Sequence, residues 1–155
     1  MKVLAQYSLA TFVSFEFVII TLALAFALVW PNAVTPISSL IGDNAEIMKH
    51  MALLPSALAI WIFSESRKLL FPDEVKKRTL QQWDDYWKWR IHFNVAIFYA
   101  VLFAGAGLIT WVFDIKANTV AGFVSLLASI IGALIVALSI YLARITLSEI
   151  LISGK

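Results

Sequence analysis

Four long runs of apolar residues, separated by shorter polar segments, dominate the pattern of the chain. They cover about 3–30, 47–64, 91–113 and 119–143. A helix needs about 20 mostly apolar residues to cross the ~30 Å hydrocarbon core of a bilayer, and each run approaches or exceeds that length. The pattern predicts an all-α membrane protein, with four transmembrane helices in a single domain over residues 1–155.

The overall composition strengthens the membrane prediction. Hydrophobic residues make up 61% of the chain and charged residues only 14%, whereas a soluble domain is closer to half apolar and a quarter charged. The first run has an alternative interpretation, a cleaved signal peptide that follows Lys2. We favour a transmembrane helix, because the run is longer than a signal-peptide core and contains the carboxylate of Glu16.

Positively charged residues are divided unequally among the polar segments. Those between the second and third runs are Arg67, Lys68, Lys76, Lys77, Arg78, Lys88 and Arg90. With Lys2, Arg144 and Lys155 on the same side, the opposite side has only Lys49 and Lys116. Because lysine and arginine are enriched in cytoplasmic loops, we expect a plasma (inner) membrane protein with both termini in the cytoplasm. Tryptophans at the ends of the runs agree with this orientation: Trp30 and Trp111 outside, Trp61, Trp87 and Trp89 inside.

Small residues recur at helical spacing in the last two runs. They are Ser125, Gly132 and Ser139 in the fourth, and Ala100, Ala104 and Gly107 in the third. Membrane helices associate through close packing of small residues. The two runs are therefore expected to form an antiparallel hairpin, and one of the two rows of small residues could instead make contacts between subunits. We expect a homo-oligomer of unspecified number.

Glu16 lies near the middle of the first run. A carboxylate at this depth costs roughly 2.5–3.5 kcal/mol on insertion scales and usually faces a protein interior or water. No lysine or arginine lies at matching depth in another run. Three interpretations remain open: a protonated, hydrogen-bonded structural residue, an ion- or proton-handling group, and a hydrogen bond between subunits.

The segment 65–90 is predicted to be a helical arm in the cytoplasm, with a helix that starts near Pro72 and continues into the third run. One face of this helix is aromatic and basic, with Trp83, Tyr86, Trp87 and Arg90. A short basic cluster, Lys76, Lys77 and Arg78, precedes it. The arm could lie on the membrane surface, pack on the arms of neighbouring subunits, or bind a cytosolic protein, since tryptophan, tyrosine and arginine are enriched at binding hot spots.

The sequence offers little that could support catalysis. It has no cysteine, and no motif for a nucleophile with its base, for a phosphate-binding loop or for a metalloprotease. His50 and His92 are predicted near opposite faces of the membrane, where they cannot share a metal ion within one chain. We therefore expect a non-enzymatic protein without a cofactor or metal, and three basic residues beside two acidic ones predict no direct nucleic-acid binding.

In its layout of four spans in a small chain, the protein resembles the membrane subunit of the Kiwa anti-phage system, which is paired with a cytosolic effector. In size it also resembles the glutathione-transferase-like membrane enzymes, but the Arg-rich first loop of those enzymes is missing. Two functions are predicted. The first is an oligomeric membrane anchor or sensor that recruits a cytosolic protein through the arm, and the alternative is an ion or proton channel built around Glu16.

Overall fold

The computed structural model describes residues 15–29, 45–71, 86–112 and 119–153. Within these ranges all regular structure is helical, and no strand occurs. The helices are α1 (Phe15–Val29), α2 (Ala45–Leu70), α3 (Tyr86–Val112) and α4 (Val120–Ser153). Each of the four predicted runs therefore contains or overlaps one helix.

Two of these helices extend well beyond the apolar runs on which they are built. The helix α2 continues six residues past the expected end of the second span, and α4 continues ten residues past the fourth, to Ser153. At 34 residues, α4 is about 50 Å long at 1.5 Å per residue. Both helices thus continue past the charged residues that ended the predicted runs, and the apolar stretch of α4 itself reaches Glu149.

Two helices in the described part of the chain are long and apolar enough to cross a membrane. These are the stretches Tyr86–Ile109 of α3 and Gly122–Glu149 of α4. In α1 the described helix has 15 residues, and the rest of the predicted first span lies outside the described residues. The charged residues of α2 lie towards its two ends, and its central part 51–64 has none.

The core lies where α2, α3 and α4 meet. Its largest buried side chains include Tyr99, Phe93 and Phe103 of α3, which pack with Ile62 of α2 and Ile140 of α4. The helix α1 lies against α4 and places Phe17 and Ile20, both half-buried, against the same core. The arrangement is a three-helix cluster with α1 added on one side.

Two glycines lie at close contacts between helices. Gly132 of α4 lies directly under the ring of Phe103 of α3, so that a Cβ there would overlap the ring. Gly107 of α3 faces α2 and not α4: its Cβ would lie 2.6 Å from the carbonyl oxygen of Ala52 and 3.3 Å from Cγ of Pro55. The sequence had grouped Gly107 with the α3–α4 hairpin, but α3 lies between two helices, and spacing along one helix cannot tell which neighbour a face meets.

Replacing Gly107 with alanine is expected to lower the free energy of unfolding by about 1–2 kcal/mol, as overpacking of a full interior does. The obstructing atom is a backbone oxygen, which can move only if α2 moves. Gly105→Ala is the matched control, because a Cβ at Gly105 meets no atom within 4 Å. Thermal unfolding of the purified protein in detergent measures both, and equal shifts in Tm would contradict the close approach of α2 to Gly107.

Candidate functional site at the basic end of the bundle

Every charged side chain that the structure describes lies at one end of the bundle. This basic end is formed by the end of α2, the start of α3 and the last turns of α4. Its cations are Arg67, Lys68, Lys88, Arg90 and Arg144, and its carboxylates are Glu65 and Glu149. The surplus of positive charge makes this end a candidate binding site for anionic groups.

A buried carboxylate ties α2 to α4 at this end. The side chain of Glu65 is only 8% exposed, and its two oxygens contact two different cations: one accepts a hydrogen bond from Lys68, and the other forms an ion pair with Arg144. Lys68 Nζ lies 2.7 Å from Oε1 and Arg144 Nη1 lies 3.0 Å from Oε2. Because Lys68 and Arg144 are more than half exposed, the cations remain solvated while the carboxylate is satisfied, which is the arrangement that a buried charge requires.

The first turns of α3 separate into a face directed inwards and a face directed outwards. Tyr86 is half-buried, and its hydroxyl donates a long hydrogen bond of 3.4 Å to the carbonyl oxygen of Leu69 at the end of α2. Ile91 is buried, whereas Trp87 is 44% exposed and Arg90 is exposed. The aromatic face predicted from the sequence is therefore divided: Tyr86 joins two helix ends, and Trp87 is exposed.

A cleft of about 490 Å³ opens between α3 and α4 at the basic end. It is lined by Lys88, Trp89, His92, Ser139, Leu142, Ala143 and Thr146. Within it, Ser139 Oγ and His92 Nε2 are hydrogen-bonded at 2.8 Å, and the indole of Trp89 meets the imidazole edge-on, with centroids 6.1 Å apart. The cleft combines a polar pair, a cation and an apolar wall, as ligand sites commonly do.

The residues predicted for packing have different surroundings. Ala100 is buried in the core and Ala104 is half-buried, as is Ser125. Ser139 is half-buried and faces the cleft, where it holds the imidazole of His92. Gly132, under the ring of Phe103, brings α4 close to α3, and Ser139 of the same row contacts α3 through His92.

The remaining predicted site residues fall partly beyond the described ranges. Trp83 and the basic cluster Lys76, Lys77 and Arg78 lie outside the described residues. The backbone of Glu16 belongs to the first turn of α1, and its side chain lies outside the described part of the structure.

Two polar contacts at this end were not anticipated from the sequence. Glu65 stood at the start of the predicted cytoplasmic arm, and the spacing to Lys68 was the only local sign that it is paired. Its contact with Arg144 and the bond between His92 and Ser139 join residues on different helices, and no sequence spacing reveals such pairs. The sequence placed His92 near the inner face of the membrane and gave no sign of its contact with Ser139.

The basic end has the chemistry of a binding surface. Its cations and hydroxyls can hold an anion, and its exposed indole can contact an apolar group. Among the described residues, no three histidine or acidic side chains come together as a metal site would require. No protein-family model matches the chain, and no curated protein or solved structure is significantly similar to it.

Proposed function

We propose that the chain is a membrane subunit with four transmembrane helices and both termini in the cytoplasm, and that it recruits a cytosolic protein through the segment 65–90. The role is that of an anchor or sensor and involves no catalysis. The observation that carries the proposal is the exposed pair Trp87 and Arg90 at the basic end.

The distribution of exposed side chains supports placement in a membrane. Large apolar residues are exposed on all four helices, for example Leu22, Ile60, Val101 and Leu138, at 56% to 74%. Monomeric soluble proteins rarely expose contiguous apolar surface on this scale, whereas lipid tails suit it. With the described charges confined to one end, the positive-inside rule directs that end to the cytoplasm.

The composition of the exposed basic end supports recruitment of a protein. Trp87 and Arg90 belong to the residue types that dominate binding hot spots, and Phe71, at the end of α2, is 76% exposed. The predicted residues Trp83, Lys76, Lys77 and Arg78 belong to the same segment and would extend this surface. The resemblance in layout to the Kiwa membrane subunit makes a cytosolic effector of an anti-phage system the partner class to test first.

We also propose that the subunit forms a homo-oligomer. Gly132 and Gly107, the small residues best suited to close contact, already pack within the chain. An exposed row on α1 remains, in which Val18, Leu22, Phe26 and Val29 recur at spacings of three and four residues and so share one face. That face is the proposed contact between copies.

The test of recruitment compares two tryptophan substitutions. Trp87→Ala is expected to lower recovery of the soluble protein that co-purifies with the tagged wild-type subunit by more than about tenfold, or roughly 1.4 kcal/mol. Trp111→Ala is the matched control, because Trp111 is 43% exposed but lies at the other end of α3. The proposal is wrong if both variants recover the partner as well as the wild type does. It is also wrong if Trp87→Ala no longer associates with the membrane but still recovers the partner.

A further inference from the structure

The cleft between α3 and α4 has a polar part and an apolar part in close succession. His92 and Ser139 form a hydrogen-bonded pair in it, and Lys88 adds a cation. Trp89, Leu142 and Ala143 provide apolar wall. At about 490 Å³, the cleft lies within the usual size range of small-molecule sites, about 300–1,000 Å³.

The cleft also continues into an exposed apolar stripe along α4. Leu142 belongs to the cleft, and Leu138, Leu134 and Ile131 follow it at spacings of four, four and three residues. All four side chains are between 42% and 56% exposed. Residues at these spacings share one helix face, so an anion-binding region is joined directly to an apolar track.

We propose that this cleft binds an anionic phospholipid from the leaflet at the basic end, with the phosphate near Lys88 and Ser139 and an acyl chain along the stripe. The proposal rests on the membrane placement given under the proposed function. A soluble anion would use the polar part alone, whereas a phospholipid would also place its acyl chain along the attached stripe.

The donors in the cleft suit a phosphate. An ammonium has three N–H donors, so Lys88 can bind a phosphate oxygen in addition to any contact it already makes. When His92 carries its proton on Nε2 and donates to Ser139 Oγ, the serine hydroxyl retains its own proton for the ligand. Basic pockets between helices on the cytoplasmic side of membrane proteins are known to hold anionic headgroups, and the other cations at this end add long-range attraction.

The experiment uses the full chain purified in detergent and incubated with equal amounts of phosphatidylglycerol and phosphatidylcholine, with retained lipid counted by native mass spectrometry. The wild type is expected to retain phosphatidylglycerol at least tenfold better. Lys88→Gln should abolish most of this preference and Ser139→Ala should reduce it severalfold. The controls Arg67→Gln and Ser148→Ala likewise remove one positive charge and one hydroxyl at the same end, but outside the cleft, and should stay within twofold of the wild type.

Equal retention of the two lipids by the wild type would overturn the proposal, as would equal effects of Lys88→Gln and Arg67→Gln. Loss of the protein partner from Lys88→Gln, with lipid retention unchanged, would assign the cleft to a protein segment instead. If Ser139→Ala fails to fold, Lys88→Gln, at an exposed position, still decides the outcome.

Failure of this proposal can be separated from failure of the proposed function. A chain recovered in the soluble fraction without detergent would overturn the membrane placement, and with it both proposals. A chain that stays in the membrane and binds its partner, but retains both lipids equally, would overturn the lipid site alone.

Discussion

Replacing Phe103 with alanine is expected to lower the free energy of unfolding by about 3–5 kcal/mol, the usual cost of removing a buried phenylalanine. Phe103 is 2% exposed. Its ring stacks on Tyr99 with centroids 6.2 Å apart and covers Gly132 of α4. Alanine would leave a cavity at the contact between α3 and α4, and neither the glycine nor the tyrosine beside it can fill that space.

The environment of the unfolded helices determines where the loss for Phe103→Ala falls within the range of about 3–5 kcal/mol. Lipid tails are as apolar as leucine, so a separated helix in a micelle does not expose the ring to water. The transfer part of the cost is then small and the cavity part remains, which places the result near the lower end, at about 3 kcal/mol.

Phe98→Ala is the control for the Phe103 substitution. Phe98 lies on the same helix and loses the same atoms, but it is 54% exposed and removing its ring opens no cavity. Thermal unfolding in detergent should therefore leave its Tm close to that of the wild type. Comparable losses from both substitutions would mean that Phe103 does not hold α3 against α4.

Reversing the charge of Arg144 is expected to destabilise the basic end by about 1–3 kcal/mol, because the buried carboxylate of Glu65 loses one of its two partners. In Arg144→Glu, a second carboxylate would face Glu65, whose own side chain is only 8% exposed. Lys68 would remain beside Glu65, but it belongs to the same helix, so the link between α2 and α4 is the one that is lost.

The control and the rescue for Arg144→Glu are substitutions of two other residues at the basic end. Arg67→Glu makes the same change at an exposed site two residues from Glu65 and should alter stability by no more than about 0.5 kcal/mol. Adding Glu65→Gln to Arg144→Glu removes the repulsion and should restore most of the lost Tm. If the double variant is no more stable than Arg144→Glu, the pair does not join the helices.

Phe103 and Glu65 stabilise different contacts between the helices. Phe103 secures α3 against α4 at mid-height through shape, whereas Glu65 secures α2 against α4 at the basic end through charge. Substitutions at separated sites usually add, so combining Phe103→Ala with Arg144→Glu should give approximately the sum of the two losses.

The sequence by itself determined the helical class and the approximate positions of the helices, though not the ends of α2 and α4, because apolar runs of this length are local features of the chain. It also determined that one end would be basic, since Arg67, Lys68, Lys88, Arg90 and Arg144 can be read directly from their places beside the runs. Spacing further identified Gly107 and Gly132 as positions of close approach, without naming the neighbour of either.

Only the tertiary structure decided which helices meet and what the basic end contains. Gly107 faces Ala52 of α2, and Glu65 is held by Arg144, because α3 and α4 lie against α2 in the folded chain. Periodicity describes one helix at a time, whereas these contacts depend on the relative rotation of two. For the same reason, the bond between His92 and Ser139 and the cleft around it depend on how α3 and α4 pack against each other, which the sequence alone does not specify.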